Sequence, residues 1–432
     1  MLWRYRNMGV ATGVGESNTV EGESVLISAV RAGDTDLVRV LLHEESAFDR
    51  VDAAFCLAVR MHAGHIAQLL LQYGADPSQS GTEDLISLTE AVDSGSPALF
   101  EALLENEDRN RHTNSELLEA RDLARRWYER GVEAELRRRT GSRDTVVRTQ
   151  VQDDEYTSVD ECTLEGMTVR DGHGAMLTYA EELLGIRTSF EDLMDRALST
   201  AGQNHPTWRR STLLLAGRRD QATWTAAATL RTHPEPSRRL FGAEVLRLTH
   251  LFDGSDEDAF AVPALEVFTP WSAEETDLTV LTEVLVALGD HSDPRAEAAL
   301  LPHAAHADGR VRLAVASGCT GDPRSSPPAF SDDARTALLT LMTDPDPVVR
   351  KTACLTVAEY RDSHPALAEA LAAALYDTDR PVRLAAVYGL ALRDDERCVQ
   401  AARRLGPPQR GSLEEEGCLG AVWRYERRRD GH

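Results

Sequence analysis

The chain has 432 residues, enough for two or three ordinary domains or for one elongated repeat array. Its formal net charge of −24 disfavours nucleic-acid binding and attachment to anionic membrane surfaces. The six cysteines are scattered without a CxxC pair, which indicates reduced thiols and a cytoplasmic location. Only Lys351 among the 47 basic residues is a lysine, as is typical of high-GC bacterial genes. We expect neither a signal peptide nor a transmembrane helix, because long apolar runs are missing.

Three segments of similar sequence follow residues 1–22, which we predict to be a flexible tail. Each segment opens with Ala-Val, at Ala29, Ala58 and Ala91, and each ends in paired leucines. The copies lie 29 and 33 residues apart. This spacing indicates stacked helix pairs, with small residues in the first helix and leucines in the second.

These segments resemble ankyrin repeats, and Tyr73–Pro77 matches the closing turn of that family. The resemblance implies an ankyrin-like array with a capping helix over residues 23–140. Residues 115–139 carry apolar side chains at helical spacing and predict one long helix. We interpret its many arginines as partners of the interleaved carboxylates, with an anion-binding stripe as the alternative.

A change of pattern after residue 140 predicts a β-hairpin and helical connector over residues 141–199. Val147–Val151 alternates with period two, and Cys162–Val169 is typical of two short strands around a Glu-Gly turn. Ser189 and Asp192 predict the start of a helix, because a serine hydroxyl can accept the amide hydrogen three residues on.

The C-terminal half repeats an aspartate four residues before an arginine. The pairs are Asp308 and Arg312, Asp346 and Arg350, and Asp379 and Arg383. An aspartate here accepts hydrogen bonds from the first free amides of a helix. A proline just after it loses no hydrogen bond, because the amide at that position has no partner within the helix. Small or apolar residues then follow at helical spacing and form one buried face.

This pattern resembles HEAT repeats of the kind found in phycobilisome-lyase-like proteins, over about residues 200–405. The resemblance implies that the aspartate and the arginine tie adjacent repeats together, and Leu281 interrupts the series once. We assign residues 200–425 to this array and 426–432 to a basic tail. The predicted fold is therefore mainly α: two α-solenoid arrays, ankyrin-like and then HEAT-like, with a small β-hairpin insert between them.

Few residues suggest catalysis or metal binding. His62 and His65 have a spacing that can hold a metal ion, but a third ligand is not evident. Asp171–Gly174 resembles a catalytic turn superficially, and the acidic cluster Asp153–Glu161 lacks the ligand spacing of a calcium loop. The phosphate-binding, hydrolase and metalloprotease motifs are missing. We therefore expect no catalytic residue, no metal and no cofactor.

The function that these observations favour is a non-catalytic scaffold that binds a protein or peptide partner on concave solenoid surfaces. One alternative is an enzyme of the HEAT-like DNA glycosylase type, for which Trp208, Trp224 and Trp271 would supply aromatic contacts. A second alternative is a lyase-like or chaperone-like subunit for a cofactor-bearing protein.

Candidate contact residues follow from the geometry of the two families. In ankyrin-like stacks the turn tips and first helices face the groove, and in HEAT-like arrays the second helices line the concave side. The candidates on this basis are Arg31, Asp34, Arg60, Asp93, Ser94, His303, Arg335 and Glu369.

Overall fold

The computed structural model is mainly helical, as predicted, and carries one small sheet. It describes residues 24–43, 50–76, 86–104, 112–200, 202–252, 259–321, 329–360, 362–409 and 412–429. The predicted tail at 1–22 lies outside these residues. The chain divides into two compact units, residues 15–219 and the part from Asp220 onward. Within the described residues, every helix is too short or too polar to cross a membrane.

Three helix pairs begin the first unit, in the order that the repeated Ala-Val segments predict. Each pair contributes buried alanines and leucines to one continuous core. α1 packs on α3, while α2, α4 and α6 lie side by side. The bounds are α1 Val25–Ala32, α2 Thr35–His43, α3 Val51–Arg60, α4 Gly64–Gln72, α5 Leu88–Ser94 and α6 Pro97–Leu104.

The predicted long helix over 115–139 is wrong in one respect, because it is broken at Gly131. The glycine has a φ of 81°, a conformation that ends one helix and starts another. α7 packs on α5, and α9 packs on both α7 and α6, so α7 and α9 make a fourth pair. The remaining bounds are α7 Asn114–Arg130, α8 Val132–Thr140, α9 His173–Leu183, α10 Phe190–Leu198 and α11 Pro206–Gly217.

The sheet is inserted between the two helices of this fourth pair. Its antiparallel strands lie in chain order: β1 Val147–Gln152, β2 Ser158–Leu164 and β3 Met167–Arg170. Glu165 and Gly166 both have positive φ, as the tight turn of a two-residue hairpin requires. Cys162 and Leu164 of β2 are buried in the core, whereas Val147 of β1 is exposed. The predicted hairpin is thus confirmed.

The second unit is a run of helices in two rows. α13, α15, α17, α19, α21 and α23 pack on one another in succession, with the intervening helices beside them. α23 continues to Arg429, so most of the predicted basic tail from residue 426 is helical. The bounds are α12 Gln221–Thr229, α13 Pro236–Leu251, α14 Ala261–Glu274, α15 Leu278–Gly289, α16 Pro294–Leu300, α17 Gly309–Gly318, α18 Asp332–Leu341, α19 Pro347–Tyr360, α20 Pro365–Ala374, α21 Arg380–Leu392, α22 Arg397–Leu405 and α23 Leu413–Arg429.

The predicted caps lie at the starts of their helices. The Asp308 carboxylate accepts the amide hydrogen of Arg310 at 2.8 Å, and Asp346 accepts that of Val348 at 2.8 Å. Asp379 accepts that of Val382 at 3.3 Å. Each aspartate thereby satisfies an amide that the helix itself leaves unbonded.

The tie between repeats uses the arginines but different carboxylates from those that the family resemblance implies. Arg312 donates to Asp344 at 2.6 and 2.8 Å, and Arg350 donates to Asp377 at 2.8 Å through two nitrogens. Each acceptor lies two residues before the capping aspartate of the next helix. A capping carboxylate points toward the amides of its own helix. A different carboxylate therefore binds the arginine of the neighbouring repeat.

Each arginine also binds the loop before its own helix. Arg312 donates through Nη1 to the carbonyl oxygens of His306 and Ala307 at 2.8 and 2.9 Å. Arg239 makes the same two kinds of bond, to its own loop and to Glu275 of the next repeat. Arg383 bonds to the carbonyls of its own loop, and Arg380 makes the bond to Glu415 of α23.

Leu281 occupies the position in α15 that an arginine holds in the neighbouring repeats. The residue that would accept hydrogen bonds from that arginine is different as well. The residue two before the next cap is His306, whose Nδ1 accepts the amide hydrogen of Asp308 at 3.1 Å. Asp344 and Asp377 accept the corresponding amide in their loops while also binding an arginine. A histidine thus accepts this amide hydrogen where no arginine arrives, and a carboxylate accepts it where one does.

Two aspartates of one loop should differ in their contribution to stability. Replacing Asp344→Ala leaves the nearly buried Arg312 without its carboxylate, and we expect a loss of about 3–5 kcal/mol. Asp346→Ala removes only a helix cap and should cost about 1 kcal/mol. Urea unfolding of both variants measures the difference. Arg310→Met, at a position where the arginine side chain is 59% exposed, is the control and should change the free energy of unfolding little. Equal losses for the two aspartates would contradict this division of roles.

The bond between Arg239 and Glu275 should make stability depend on acid pH. Burial alone would raise the pKa of Glu275, but bonds from Arg239, Trp271 and two backbone amides outweigh it and lower the pKa to about 2. The carboxylate therefore stabilises the fold above about pH 4.5, and this contribution disappears as the pH falls toward 2.

We expect the difference in unfolding free energy between the natural protein and Glu275→Gln to shrink steadily over that range. Denaturant titrations at several pH values measure it. Glu274→Gln, whose side chain is 65% exposed, is the matched control and should show a small difference at every pH. A constant difference for Glu275→Gln would mean that its carboxylate is not the group that titrates.

Candidate functional site

A groove of about 730 Å³ opens on the side of the first unit formed by its second helices. Its floor comes from α2, α4 and α6, and its walls come from the turn between β1 and β2 and from α11. We call it the second-helix groove. It is lined by Asp36, Arg39, His65, Gln68, Gln72 and Glu101 on the floor and by Gln152, Tyr156, Arg209 and Arg210 on the walls.

Side-chain bonds join the helices of the floor. His65 Nε2 lies 2.9 Å from Thr35 Oγ1, which links α4 to α2. Gln68 donates through Nε2 to the carbonyl oxygen of Ala98 at 3.2 Å, which links α4 to α6. Burial, aided by the charge of Arg170, lowers the pKa of His65, so the imidazole is neutral near pH 7. The floor therefore has fixed polar groups.

The turn that forms one wall is held by a buried carboxylate. Asp153 is fully buried and accepts hydrogen bonds from Ser96 Oγ at 2.6 Å and from the Ala98 amide at 2.8 Å. Arg170 lies 3.2 Å from the same carboxylate. Burial raises the pKa of Asp153, and these three donors oppose that effect. The insert is thus anchored at the first turn of α6.

The charged side chains of the groove are largely paired. Arg39 lies 3.5 Å from Glu155, across the gap between α2 and the turn. Arg210 binds Glu101 and stacks on Tyr179 with 4.0 Å from its guanidinium carbon to the ring centre. Arg209 stacks in the same way on Tyr156 at 4.8 Å. The groove therefore offers mixed charge, an aromatic ring and amides.

The turn Asp171–Gly174, which resembled a catalytic motif, has a structural role. The Gly172 amide donates to the carbonyl of Gly95 at 3.1 Å. His173 is buried, bonds through Nε2 to the carbonyl of Val92, and stacks on Trp127 at 4.7 Å. Burial lowers the pKa of His173 to about 4. The turn returns the chain from the sheet to the helices.

Asp171 pairs with His205 beside a second cavity of about 190 Å³. His205 Nε2 lies 3.1 Å from Asp171 Oδ1, and its Nδ1 accepts the Thr207 amide hydrogen at 3.1 Å. Both ring nitrogens thus have hydrogen-bond partners within the fold. This pair caps α11.

His62 and His65, whose spacing could hold a metal ion, have separate partners. His62 lies 3.9 Å from Glu90, while His65 faces Thr35. Within the described ranges, no three His, Cys, Asp or Glu side chains come together in a group that could hold a metal ion.

The candidate contacts of the first array do not line the groove. Arg31, Asp34 and Arg60 are exposed, but Asp34 caps α2 through the Leu37 amide. Asp93 accepts hydrogen bonds from Trp127 and Arg139, and Ser94 bonds to the carbonyl of Ala91, so both support the fold. The groove opens among the second helices, whereas the expectation from family geometry placed it at the first.

Of the candidates in the second unit, Arg335 lies on α18 and Glu369 on α20, and His303 lies just after α16. Glu369 is exposed and binds Arg397 at 2.9 Å. Arg335 binds Asp332, Asp362 and the carbonyl of Phe330, which ties α18 to the next repeat. His303 is half-buried, and burial together with the charge of His306 lowers its pKa. Arg335 is therefore a structural residue.

The tryptophans of the glycosylase alternative and the arginines of α7 and α8 have structural positions. Trp208, Trp224 and Trp271, which the glycosylase alternative would use, are all buried. Most arginines of α7 and α8 have carboxylate partners. Arg137 binds Glu133 of its own helix at 3.0 Å, as the ion-pair interpretation predicts, whereas Arg125 binds Glu181 of α9 at 2.8 Å.

The groove residues Asp36, Gln68, Gln72 and Tyr156 were missed by sequence reasoning. Asp36, Gln68 and Gln72 lie among the leucines of second helices, at the spacing of an exposed helical face. That spacing was the available signal. Tyr156 offers no local signal, because its position depends on how Asp153 anchors the turn.

Comparison with known proteins gives one family match. A family model described as HEAT repeats matches residues 325–391, in the second unit. Among solved structures, the Escherichia coli protein YibA is 16% identical, with 55% of this chain and 93% of that chain covered at a TM-score of 0.39. Human deoxyhypusine hydroxylase in complex with glycerol is also 16% identical, with 59% and 98% covered at 0.22. No curated protein sequence matches the chain.

A glycine at the junction should be needed for the groove wall. A Cβ at Gly172 would lie 2.2 Å from Pro97 Cδ and 2.8 Å from the Gly95 carbonyl oxygen. We expect Gly172→Ala to cost about 1–3 kcal/mol in the free energy of unfolding, because Pro97 starts α6 and cannot move freely. Gly217→Ala, where a Cβ meets no atom within 4 Å, is the control for thermal unfolding. An equal melting temperature for both variants would contradict the close approach.

Proposed function

We propose that this chain is a non-catalytic scaffold that binds a protein partner, with an extended segment of that partner in the second-helix groove. The observation that carries the proposal is the groove itself, in which residues from α2, α4, α6, α11 and one turn face a common space. Stacked repeats commonly bind partners on such a surface, because its side chains are free to vary.

Side-chain amides support an extended peptide as the bound group. Gln68 donates its Nε2 to the Ala98 carbonyl, and Gln152 donates its Nε2 to the Glu155 carbonyl. These bonds orient both amides and leave their Oε1 atoms as acceptors. Gln72 is exposed nearby. Acceptors of this kind suit the N–H groups of a peptide backbone.

Charge favours a basic partner protein. The net charge of −24 attracts cationic surfaces over long range and repels nucleic acid. Asp36 and Glu155 lie at the α2 end of the groove, where a lysine or arginine of the partner would meet them. Charges at a rim mainly raise the rate of association and select partners.

The cysteines support a cytoplasmic scaffold without a cysteine nucleophile. All six are buried free thiols. Burial raises the pKa of Cys319 and Cys354 to about 12, so neither forms a thiolate near pH 7. We further assign the first array to the ankyrin type, on its helix pairs and on the turn after α4.

Site-specific photo-crosslinking tests the groove. A photoreactive amino acid replaces Gln72 in one variant and Arg60 in another, both exposed, in cells that express the chain naturally. We expect the Gln72 variant to form a crosslink to one partner protein, since Gln72 lines the groove and Arg60 does not. Asp36→Arg should weaken that crosslink at unchanged melting temperature, whereas Arg31→Glu should leave it intact.

Crosslinks from Arg60 with none from Gln72 would place the interface on the first helices instead. Crosslinks to nucleic acid from either position would support the glycosylase alternative and contradict a protein-binding scaffold.

A further inference from the structure

β1 forms an open edge of the three-stranded sheet. Among the described strands it is an outer one, and it pairs with β2 on one side only. Val147, Arg148, Thr149 and Gln150 are all exposed, with Val147 at 61%. In a strand with a covered face, alternate residues would be buried. β1 therefore presents its outer backbone groups and both of its faces to solvent.

The opposite edge of the sheet is covered. β3 lies against α5, where a Cβ on Gly95 would be 1.8 Å from the carbonyl oxygen of Arg170. The Gly172 amide also donates to the Gly95 carbonyl just after β3 ends. This close backbone contact leaves no room for another strand beside the C-terminal end of β3. Among the residues that the structure describes, β1 is the edge of this sheet that is exposed over most of its length.

The sequence of β1 lacks the features that usually protect an exposed edge. Val147–Gln152 reads VRTQVQ, which contains no proline and no lysine and has high strand propensity. Its one charged side chain, Arg148, is neutralised by Glu133 at 2.9 Å and lies 3.9 Å from Asp160. Such an edge is a template for pairing with an extended segment.

Carboxylates beside this edge indicate the charge of the segment. Glu161 and Asp160 of β2 lie opposite Thr149 and Gln150 of β1. Glu133 lies 2.9 Å from Arg148. A strand with lysine or arginine side chains would be attracted here, and an acidic strand would be repelled.

The edge is continuous with the second-helix groove. Gln152 is the last residue of β1 and also lines the groove. The six residues of β1 span about 20 Å at the usual rise of a strand. A segment that pairs with β1 therefore reaches the groove at Gln152.

We propose that β1 accepts a fourth strand, contributed by an extended segment of the partner protein that is rich in lysine or arginine. The inference rests on the proposed function, because it specifies the partner segment that enters the groove. Main-chain hydrogen bonds along β1 hold the segment, and the surrounding carboxylates select its charge.

Three labelled peptides of twelve residues test strand addition to the full-length protein by fluorescence anisotropy. The first alternates lysine with threonine, the second is the same peptide with every other backbone amide N-methylated, and the third replaces lysine with glutamate. We expect the first to bind at least about tenfold more tightly than either of the others, since a 1.4 kcal/mol difference is tenfold. Equal binding of the first two peptides would overturn strand addition, because N-methylation removes the pairing donors but keeps the charge.

Two variants of β1 locate the interaction. Thr149→Pro and Gln150→Pro remove neighbouring amide donors that point to opposite edges of the strand. We expect one of them to lose peptide binding at an unchanged melting temperature, and the other to destabilise the protein through its bond to β2. Retained binding in both variants would overturn the proposal. Met167→Thr, an exposed position on β3 at the opposite edge of the sheet, is the control and should bind as the natural protein does.

The oligomeric state distinguishes a partner protein from a second copy of this chain as the source of the added strand. Strand addition by a second copy of this chain would give a concentration-dependent dimer in light scattering, and the loss of that dimer in the same proline variant would overturn the partner assignment. If the peptides do not bind but Gln72 still forms crosslinks, strand addition to β1 is refuted and the groove proposal stands. Loss of the crosslinks with retained peptide binding would refute the groove and leave the edge as a separate site.

Discussion

The second unit depends on a guanidinium that binds two successive loops at once. A nearly buried arginine must find acceptors for its several N–H donors, and a single carboxylate cannot supply them all. Arg312 and Arg350 meet this need with two carbonyls of their own loop and a bidentate carboxylate of the next. The loop conformations and the spacing of the repeats are thereby coupled. His306 follows from this constraint, because a carboxylate without an incoming arginine would be a partly buried charge with no counterion.

The first unit uses the same principle at a different place. Asp153 is a buried carboxylate that accepts from Ser96 and the Ala98 amide at the start of α6 and from Arg170 of β3. It binds the inserted sheet to the first turn of α6, and the turn that it carries becomes a wall of the groove. Without this bond, Tyr156 and Gln152 would have no fixed position beside α2 and α4.

Structural and recognition roles are divided between residues of the same type. Asp93 and Arg335 are charged and lie near the surface, but their bonds tie helices together. Asp36, Gln72 and the strand β1 are exposed beside rigid elements, which is the arrangement that recognition requires. The groove and the β1 edge meet at Gln152, so an extended segment can use side-chain amides in one and backbone pairing in the other.

The sequence by itself determined the local elements: the helix pairs after Ala29, Ala58 and Ala91, the caps, and the hairpin at Glu165-Gly166. These follow from periodicity, capping and turn chemistry, which act over a few residues. Only the tertiary structure decided that Asp344 rather than Asp346 binds Arg312, and that the second helices line the groove. Those outcomes depend on contacts between residues about thirty or more positions apart, for which local spacing carries no information.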